Sequence, residues 1–334
     1  MIRSLVEPPP ATARARFAPD FGQRVLLTVD TEEEFDWNGP FTRDRHGLTH
    51  AARFPEFQHF CDGIGVVPHY LVDWPIASSP VAMDVLVPAA REGRAEIGIQ
   101  LHPWVNPPFE EETNARNSYA GNLPFELERA KLLALRDLIE DRSGIVPLTY
   151  RAGRYGLGAR THEILREAGV AIDTSVRANF DYRAGHGPDY SAHPIEPYWI
   201  DDEQSLLELP VTTVFWGMLR RQGRWIHPLA ERLPRMRGAL ARVGLLERIA
   251  LTPEGITLDE AIRGIDIAID DGLPVIVLSL HSPSIAPGHT PYVRSEDDVE
   301  RLYERLDGVY DYMRRRGIKS TSVAEIMRSV VRGR

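Results

Sequence analysis

The sequence is poor in cysteine, in net positive charge and in long apolar runs. Its 334 residues include one cysteine, Cys61, which excludes an intrachain disulfide and a multi-cysteine metal site. The formal net charge of −9 argues against nucleic acid or an anionic membrane surface as the main partner. No segment reads as a transmembrane span or as the apolar part of a secretion signal. We therefore expect a cytoplasmic protein, whose oligomeric state the sequence leaves open.

Apolar, β-branched runs alternate with helical patterns along the chain, which is typical of a βα-repeating fold with a parallel sheet. We predict strands at 24–29, 66–72, 95–101, 147–151, 170–173, 206–212 and 274–280. Helices are predicted near 53–62, 80–92, 124–141, 160–168, 257–270 and 295–315, with a last helix from Ser322. Short strands separated by helices of about 12 residues favour a barrel-like α/β domain over an open sheet.

The domain organisation is expected to be simple. Residues 1–20 contain three consecutive prolines and read as an extended N-terminal arm. Residues 21–334 read as a single domain, interrupted by an irregular inserted region at about 176–256 that is rich in Tyr, Trp, Pro, Gly and Arg. We expect this region to shape a substrate cleft and to contain one helix near 229–249.

Acidic residues are concentrated where the first predicted strand ends. They are Asp30, Glu32, Glu33, Glu34 and Asp36. Carboxylates this close repel one another, and a buried carboxylate is costly unless a cation compensates it. Presenting acids at the carboxyl end of an apolar strand is typical of a metal or acid–base site in α/β enzymes. A solvated acidic turn is the alternative.

Other reactive side chains follow three more predicted strands, at His102, Arg151 and His281. A lone histidine at a strand end is usually structural, but the carboxyl ends of a closed parallel sheet converge on one mouth. Carboxylates and neutral imidazoles are good ligands for Zn²⁺, and a bound ion lowers the pKa of water from about 16 to ~7. A second carboxylate can accept the proton of that water, a histidine can protonate a leaving amine, and a guanidinium can hold the base ionised. The set is suited to metal-assisted hydrolysis of an amide or ester.

In this order, the segments resemble the five motifs of the polysaccharide deacetylase family, the carbohydrate esterases with a NodB-homology domain. The matching segments are 28–32, 96–98 with 102–106, 151–156, 173–175 with 209–210, and 278–282. They extend from about residue 25 to 285, and the helix after 295 continues the likeness. The run 282–293 suggests a bacterial, WalW-like subgroup found alongside surface-polysaccharide genes.

The resemblance implies a distorted (β/α) barrel of about seven parallel strands. It also implies a role for each residue that matches one of the family's motifs. It implies that Asp30 is the catalytic base, that Arg151 pairs with that base, and that His281 is the general acid. Glu32 and His102 would be metal ligands, with zinc as the first choice of ion.

Two departures from the family pattern concern the metal. Glu32 replaces an aspartate and is one methylene longer, while Asn106 stands where a second histidine ligand is expected. An amide oxygen is a weaker, neutral ligand that suits harder ions better than Zn²⁺. We expect Asn106 as the third ligand, with reduced affinity or a different ion, and consider His69 and Asp73 as substitutes.

Further residues are expected to contact substrate at the mouth of the barrel. They are Trp37, Asp73, Trp74, Trp104, Arg154 and Tyr155. Aromatic faces stack on sugar rings, although each ring could instead cap the core. Arg154 could bind a phosphate or carboxylate on the substrate, although a surface arginine is the default. Glu33, Glu34 and Asp36 are expected to be solvated neighbours of the site.

The leading hypothesis is a metal-dependent amide hydrolase that removes an acyl group from an N-acylated sugar or sugar-linked intermediate. The first alternative keeps the fold and hydrolyses a small cyclic amide or formamide, as an allantoinase does. The second is a catalytically silent, glycan-binding relative that has lost the metal.

Overall fold

Seven parallel strands form the curled sheet at the centre of the molecule. The protein was analysed as a computed structural model, which describes residues 4–231 and 234–332. The strands in this part of the chain are β1 (Arg16–Phe17), β2 (Arg24–Thr31), β3 (His69–Val72), β4 (Glu96–Leu101), β5 (Thr149–Ala152), β6 (Ile172–Asp173), β7 (Tyr198–Trp199), β8 (Leu207–Glu208), β9 (Thr213–Trp216), β10 (Glu247–Ala250), β11 (Val275–His281), β12 (Lys319–Ser320) and β13 (Val330–Val331). The seven parallel strands run in the order β11-β2-β3-β4-β5-β6-β8; the two-residue strand β12 also pairs parallel with β2, off this path, and β7 pairs antiparallel with β8.

Helices connect these strands and cover the outside of the sheet. Within the same ranges they are α1 (Phe54–Ile64), α2 (Trp74–Ser78), α3 (Pro80–Arg91), α4 (Phe125–Ser143), α5 (Thr161–Glu167), α6 (Gly223–Glu231), α7 (Pro234–Arg242), α8 (Leu258–Asp270), α9 (Glu296–Arg315) and α10 (Val323–Ser329). Every predicted strand overlaps one of the seven parallel strands, and the predicted fold class, a distorted (β/α) barrel, is confirmed. None of the helices in the described ranges has both the length and the apolar character needed to cross a bilayer.

The sheet lacks a regular strand pair between β8 and β11, and a few hydrogen bonds join its two edges there. The backbone N–H of Thr212 donates to the carbonyl of Val277 over 3.2 Å, and the N–H of Val277 donates to the Thr212 hydroxyl over 2.9 Å. The N–H of Ser279 donates to the carbonyl of Leu251 over 3.1 Å. These contacts form a seam that brings the first and last parallel strands into one curled structure.

Strand β2 shows how the sequence separates packing from chemistry. Val25, Leu27 and Val29 pack into the larger apolar cluster, while Leu26 belongs to a second cluster with residues of β6, β8 and β11. Because side chains alternate across a strand, Asp30 shares a face with Leu26. The smaller cluster therefore fills the base of the curled sheet, and the polar end of β2 follows on the same face.

The inserted region differs from the single helix predicted near 229–249, and that prediction is wrong. Helix α6 ends at Glu231, α7 begins at Pro234, and Glu247–Ala250 form strand β10, which pairs antiparallel with β9. Gly244, with φ of +68°, lies just beyond the end of α7 in a conformation that favours glycine.

The amino-terminal segment packs against the rest of the molecule. Leu5 is completely buried, and β1 pairs antiparallel with β13 near the carboxyl end of the described chain. The N–H of Ala15 also donates to the carbonyl of Pro197 over 2.9 Å. The arm is thus fixed at several points along its length.

A carboxylate at the start of β4 holds the last helix, and its removal should destabilise the fold. Glu96 accepts the N–H groups of Val323 at 2.6 Å and Ala324 at 2.9 Å, and it lies 3.4 Å from Nδ1 of His69. Glu96→Gln should lower the free energy of unfolding by about 1–2 kcal/mol at neutral pH, measured by urea denaturation. Glu92→Gln, on the exposed surface nearby, is the control and should change it little.

The same pair of variants predicts a pH dependence. Burial alone would raise the pKa of Glu96, but the His69 and helix N–H contacts lower it below its ordinary value of 4.5. A carboxyl whose pKa is lower in the folded state stabilises above its unfolded pKa and loses that effect as the pH falls through the folded value. The gap between wild type and Glu96→Gln should therefore close below about pH 4.5. A constant gap down to acidic pH would contradict this assignment.

Candidate active site

A cavity of about 300 Å³ opens at the carboxyl ends of the parallel strands. Most of the predicted site residues line it, namely Asp30, Glu32, Trp37, His102, Trp104, Arg151, Arg154, Tyr155 and His281. Residues at the ends of β2, β4, β5 and β11, which are far apart in the sequence, thus lie around one cavity, as expected for a curled parallel sheet. The two ends of the inserted region also reach the cavity, through Arg177 and Tyr182 and through Thr252 and Glu254, whereas no described residue between 213 and 250 lines it.

Arg151 is completely buried and fixes Asp30. Its Nη1 contacts Oδ1 of Asp30 and also donates to the Ser279 hydroxyl over 2.9 Å. Nη2 donates to the Thr28 and Thr174 hydroxyls over 3.0 and 3.1 Å. Nε donates to the Thr174 carbonyl over 2.9 Å. Every N–H direction of the guanidinium therefore has an acceptor, and the Asp30 side chain is held in one orientation beside it.

His281 faces Asp30 across the cavity and is oriented by Glu254. Its Nε2 lies 3.8 Å from Oδ2 of Asp30, while Nδ1 contacts Oε1 of Glu254. Burial alone would lower the pKa of His281, but the Glu254 carboxylate and the other nearby acids raise it to about 9. The imidazole is therefore protonated at neutral pH, and its Nε2–H lies on the side of the ring that faces the Asp30 carboxylate.

His102 lies between two glutamates. Its Nδ1 is 2.8 Å from Oε2 of Glu33, and its Nε2 is 3.4 Å from Oε2 of Glu32. Glu33 also accepts the indole N–H of Trp104 over 2.7 Å, so Glu33 is an acceptor and His102 donates from Nδ1. The lone pair of Nε2 then faces the carboxylate of Glu32, which is unfavourable unless a proton or a cation lies between them.

Two buried oxygens on the cavity side of His102 have no hydrogen-bond partner. They are Oε1 of Glu32 and Oε1 of Gln100, and the amide nitrogen of Gln100 donates to Oε2 of Glu32 over 3.3 Å. Burial raises the pKa of Glu32 to about 8, an effect that His281 and His102 only partly offset. Carboxylate and amide oxygens with one imidazole nitrogen form a donor set that fits a divalent ion. A carboxylate behind the imidazole, here Glu33, is the usual support of a metal-bound histidine.

A second group of possible ligands lies behind His102. Atoms of Glu33, Asp73 and His102 lie within 4.8 Å of one another and could hold an ion. Oδ1 of Asp73 accepts the N–H of Ile76 over 2.8 Å, and its Oδ2 accepts the N–H of Glu33 over 2.8 Å. Since these atoms already have partners and neither acid lines the cavity, this group supports His102 from behind.

Four residues considered at the sequence level lie away from the cavity. The amide nitrogen of Asn106 donates to the carbonyls of Pro107 and Lys131 over 2.7 and 2.9 Å, which fixes it against α4. His69 contacts Glu96 and Thr149 at the opposite end of the sheet. Asp73 caps α2, and Trp74 packs against the apolar core at the start of that helix. None of them lines the cavity, and Gln100 provides the amide near Glu32.

The expectation that Glu33 and Glu34 are solvated is wrong. Glu33 is completely buried, and Glu34 accepts hydrogen bonds from His50 and Thr49. Only Asp36 is exposed. The chain beyond β2 remains against the sheet because N–H donors on neighbouring segments pair with these carboxylates, which offsets the cost of burying them.

The aromatic residues divide between support and cavity surface. The ring of Trp104 stacks on His102 at a centroid distance of 4.3 Å. Trp37 meets His281 edge-on at 5.0 Å and stacks with Phe35 at 5.7 Å. Trp37 and Trp104 therefore hold the two histidines as well as forming apolar surface for a ligand.

The curled parallel sheet with a polar cavity at its carboxyl ends defines a distorted (β/α) barrel, and known structures share this fold. No protein-family model matches the sequence. No curated protein matches it either. The fold is similar to that of Puue allantoinase, with 13% identity over 93% of this chain and 91% of that chain and a TM-score of 0.51.

Two further solved structures carry the name of the family that the sequence resembles. A probable polysaccharide deacetylase from Pseudomonas aeruginosa PAO1 is 13% identical over 92% of this chain and 91% of that chain, with a TM-score of 0.50. A peptidoglycan N-acetylglucosamine deacetylase is 12% identical over 95% of this chain and 94% of that chain, with a TM-score of 0.46. At these identities the similarity concerns the fold alone, and the allantoinase and the Pseudomonas aeruginosa structure agree with the barrel that the resemblance implied.

The orientation of His281 by Glu254 gives a test that needs no substrate. Without the Glu254 charge the imidazolium loses its main stabilising neighbour, so Glu254→Gln should lower the pKa of His281 from about 9 by at least ~1 unit. Histidine-selective NMR titration of the wild type and the variant measures this pKa. Asp259→Asn, on the exposed start of α8, is the control. An unchanged His281 titration in Glu254→Gln would contradict the assignment.

Proposed function

We propose that this protein is a metal-assisted amide hydrolase that removes an acyl group from an N-acylated sugar or a sugar-linked intermediate. The observation that carries the proposal is the pairing of Asp30 with a protonated His281 beside the unpartnered oxygens of Glu32 and Gln100. A base, an acid and a group of metal-ligand atoms thus share one cavity. This combination suits attack by water on an amide with protonation of the departing nitrogen.

The residues have separate roles in this proposal. Glu32, His102 through Nε2, and Gln100 would hold the ion, with Zn²⁺ as the first choice for a set that includes an imidazole. A divalent ion in this position supplies activation of water and polarisation of the acyl oxygen. Asp30, paired with Arg151, accepts the proton of the attacking water. His281 donates its Nε2 proton to the leaving amine.

Support for a sugar substrate comes from the aromatic surface of the cavity and from the motif resemblance. Trp37, Tyr155 and Tyr182 line the cavity and offer faces of the kind on which sugar rings stack. The small cyclic amide alternative shares the fold, and the two substrate classes are separated by assaying N-acetylated sugars alongside allantoin-like ureides. Release of acetate from the sugars supports the proposal, and ring opening of ureides alone contradicts it.

Metal content distinguishes the hydrolase from a glycan-binding protein without turnover. After reconstitution with Zn²⁺ and removal of excess ion, we expect about one ion per chain by elemental analysis. Glu32→Gln should reduce the occupancy about tenfold or more, since one charged ligand is lost. Glu56→Gln, on the exposed face of α1, is the control. Occupancy below about a tenth of an ion in the wild type would favour the binding protein.

The acid and base are tested by variants with a stability control. His281→Ala and Asp30→Asn should each lower the rate of acyl release by about 10²–10⁴. Asp30→Asn also removes the charge partner of buried Arg151, so its unfolding transition must be recorded beside its rate. His59→Ala, on the exposed surface of α1, should leave the rate unchanged. Wild-type rates in folded His281→Ala would rule out this residue as the acid.

A further inference from the structure

Two guanidinium groups in the cavity wall have no carboxylate partner among the residues that the structure describes. They belong to Arg154, which follows β5, and Arg177, which follows β6. Both lie on the β5 and β6 side of the cavity, whereas the proposed acid, base and metal ligands come from β2, β4 and β11. An arginine in a protein is always charged, so these two groups place positive charge on one side of the site.

Arg177 is held among aromatic rings rather than acids. Its Nη1 donates to the Tyr182 hydroxyl over 3.3 Å, and its Cζ lies 4.1 Å from the ring centroid of Phe180 and 5.3 Å from that of Tyr155. Its Nε is buried and has no hydrogen-bond acceptor. Leaving a buried charged donor unpaired is unfavourable, so an acceptor on a ligand would be stabilised there.

Arg154 is also fixed, at a cost in backbone energy. Its φ is +57° and that of Tyr155 is +60°, and the left-handed region is unfavourable for residues other than glycine. Its Nη1 donates to the Ser118 hydroxyl over 2.5 Å, and its Cζ lies 4.1 Å from the ring centroid of Tyr119. The guanidinium is thereby immobilised before any ligand binds.

The acids of the cavity do not neutralise these two charges. Asp30 is paired with Arg151 and Glu254 with His281, while Glu32 lies beside His102 and Gln100. No ion pair joins any of these carboxylates to Arg154 or Arg177 within the described residues. An overall acidic protein thus keeps two fixed cations in the cavity without a matching acid.

We infer that the substrate carries an anionic group, a carboxylate or a phosphate, which Arg154 and Arg177 bind while the acyl group faces Asp30 and His281. The inference rests on the proposed function, because it takes this cavity as the substrate site. A planar guanidinium matches two oxygens of a carboxylate or a phosphate, and the tyrosine hydroxyls beside it add donors. The substrate class is therefore an N-acylated amine, on a sugar or a sugar-linked group, with a negative charge near the amide.

The direct test uses simple anions and the wild-type protein. The side-chain Nε–H resonance of Arg177, assigned by its loss in Arg177→Lys, is followed by ¹⁵N NMR during titration with acetate and with inorganic phosphate at constant ionic strength. We expect a saturable shift with at least one of the two anions. If neither acetate nor phosphate moves this resonance, no anion site exists at Arg177 and the inference is overturned.

The second test compares sugars that differ in charge. N-acetylmuramic acid and N-acetylglucosamine 6-phosphate add a carboxylate and a phosphate to N-acetylglucosamine, so the three together also separate the two sources of charge. Calorimetry should give at least about tenfold tighter binding of one charged sugar, and Arg177→Gln or Arg154→Gln should remove most of that advantage. Arg116→Gln, an exposed arginine near Ser118, removes the same charge outside the cavity and should preserve it. Equal loss in Arg116→Gln would reduce the effect to general electrostatics and overturn the inference.

The two proposals fail in different ways. Binding is measured with chelator present, so it requires neither a metal nor turnover. Charge-selective binding without hydrolysis of any acylated sugar would overturn the hydrolase proposal and leave the anion site. Hydrolysis with equal kcat/KM for charged and uncharged sugars would overturn the anion site and leave the hydrolase.

Discussion

The site depends on one completely buried guanidinium, that of Arg151. Removing this charge from water is expensive, and the cost is offset only because Asp30 neutralises it and the remaining N–H groups reach Thr28, Thr174 and Ser279. These acceptors belong to β2, β11 and the segment after β6. Each strand end must therefore lie at a set height in the curled sheet for the network to close. The same requirement fixes Asp30, and through it the place of every other group in the cavity.

Around that centre the cavity divides by charge. The β2, β4 and β11 side carries carboxylates and the two histidines, and the β5 and β6 side carries arginines and tyrosines. Burial raises the pKa of Glu32 to about 8 and that of Glu33 to about 7, because the neighbouring histidines and hydrogen-bond donors offset the cost of burial only in part. The opposite side has cations without acids. A divalent ion bound on the acidic side, together with an anionic group of a ligand on the arginine side, would balance the charges on both sides of the cavity.

The strands were predictable because apolar, β-branched runs of four to eight residues that alternate with helical patterns are typical of buried parallel strands. Asp30, Arg151 and His281 were predictable for a related reason, since each ends a strand and parallel strands end together. Gln100 was missed, although side-chain alternation along β4 could have identified it. Gln100 lies two residues before His102, and residues two apart in a strand share a face, whereas Asn106 lies beyond the strand. Glu254 left no local pattern, being 27 residues from the histidine it orients.

The prediction of a single helix in the inserted region was wrong for a different reason. Residues 229–249 have helical composition over most of their length, but Gly244 lies in a turn after α7 and β9 supplies an edge for β10 to pair with. Such pairing is long-range and cannot be read from a window of sequence. The sequence likewise provided no reason to assign Arg177 to the site, because its aromatic surroundings are visible only in the folded structure.

The seam between β8 and β11 has a consequence for how such a protein can diversify. The chain passes Thr212, leaves the sheet for residues 213–250, and returns at Leu251, so the excursion starts and ends at neighbouring points. Because the described residues of this excursion neither belong to the parallel strands nor line the cavity, their sequence can change without shifting the register of β2 or β11. The gap in the barrel thus serves as an insertion point, where lineages can acquire new surfaces while inheriting the Arg151 network unaltered.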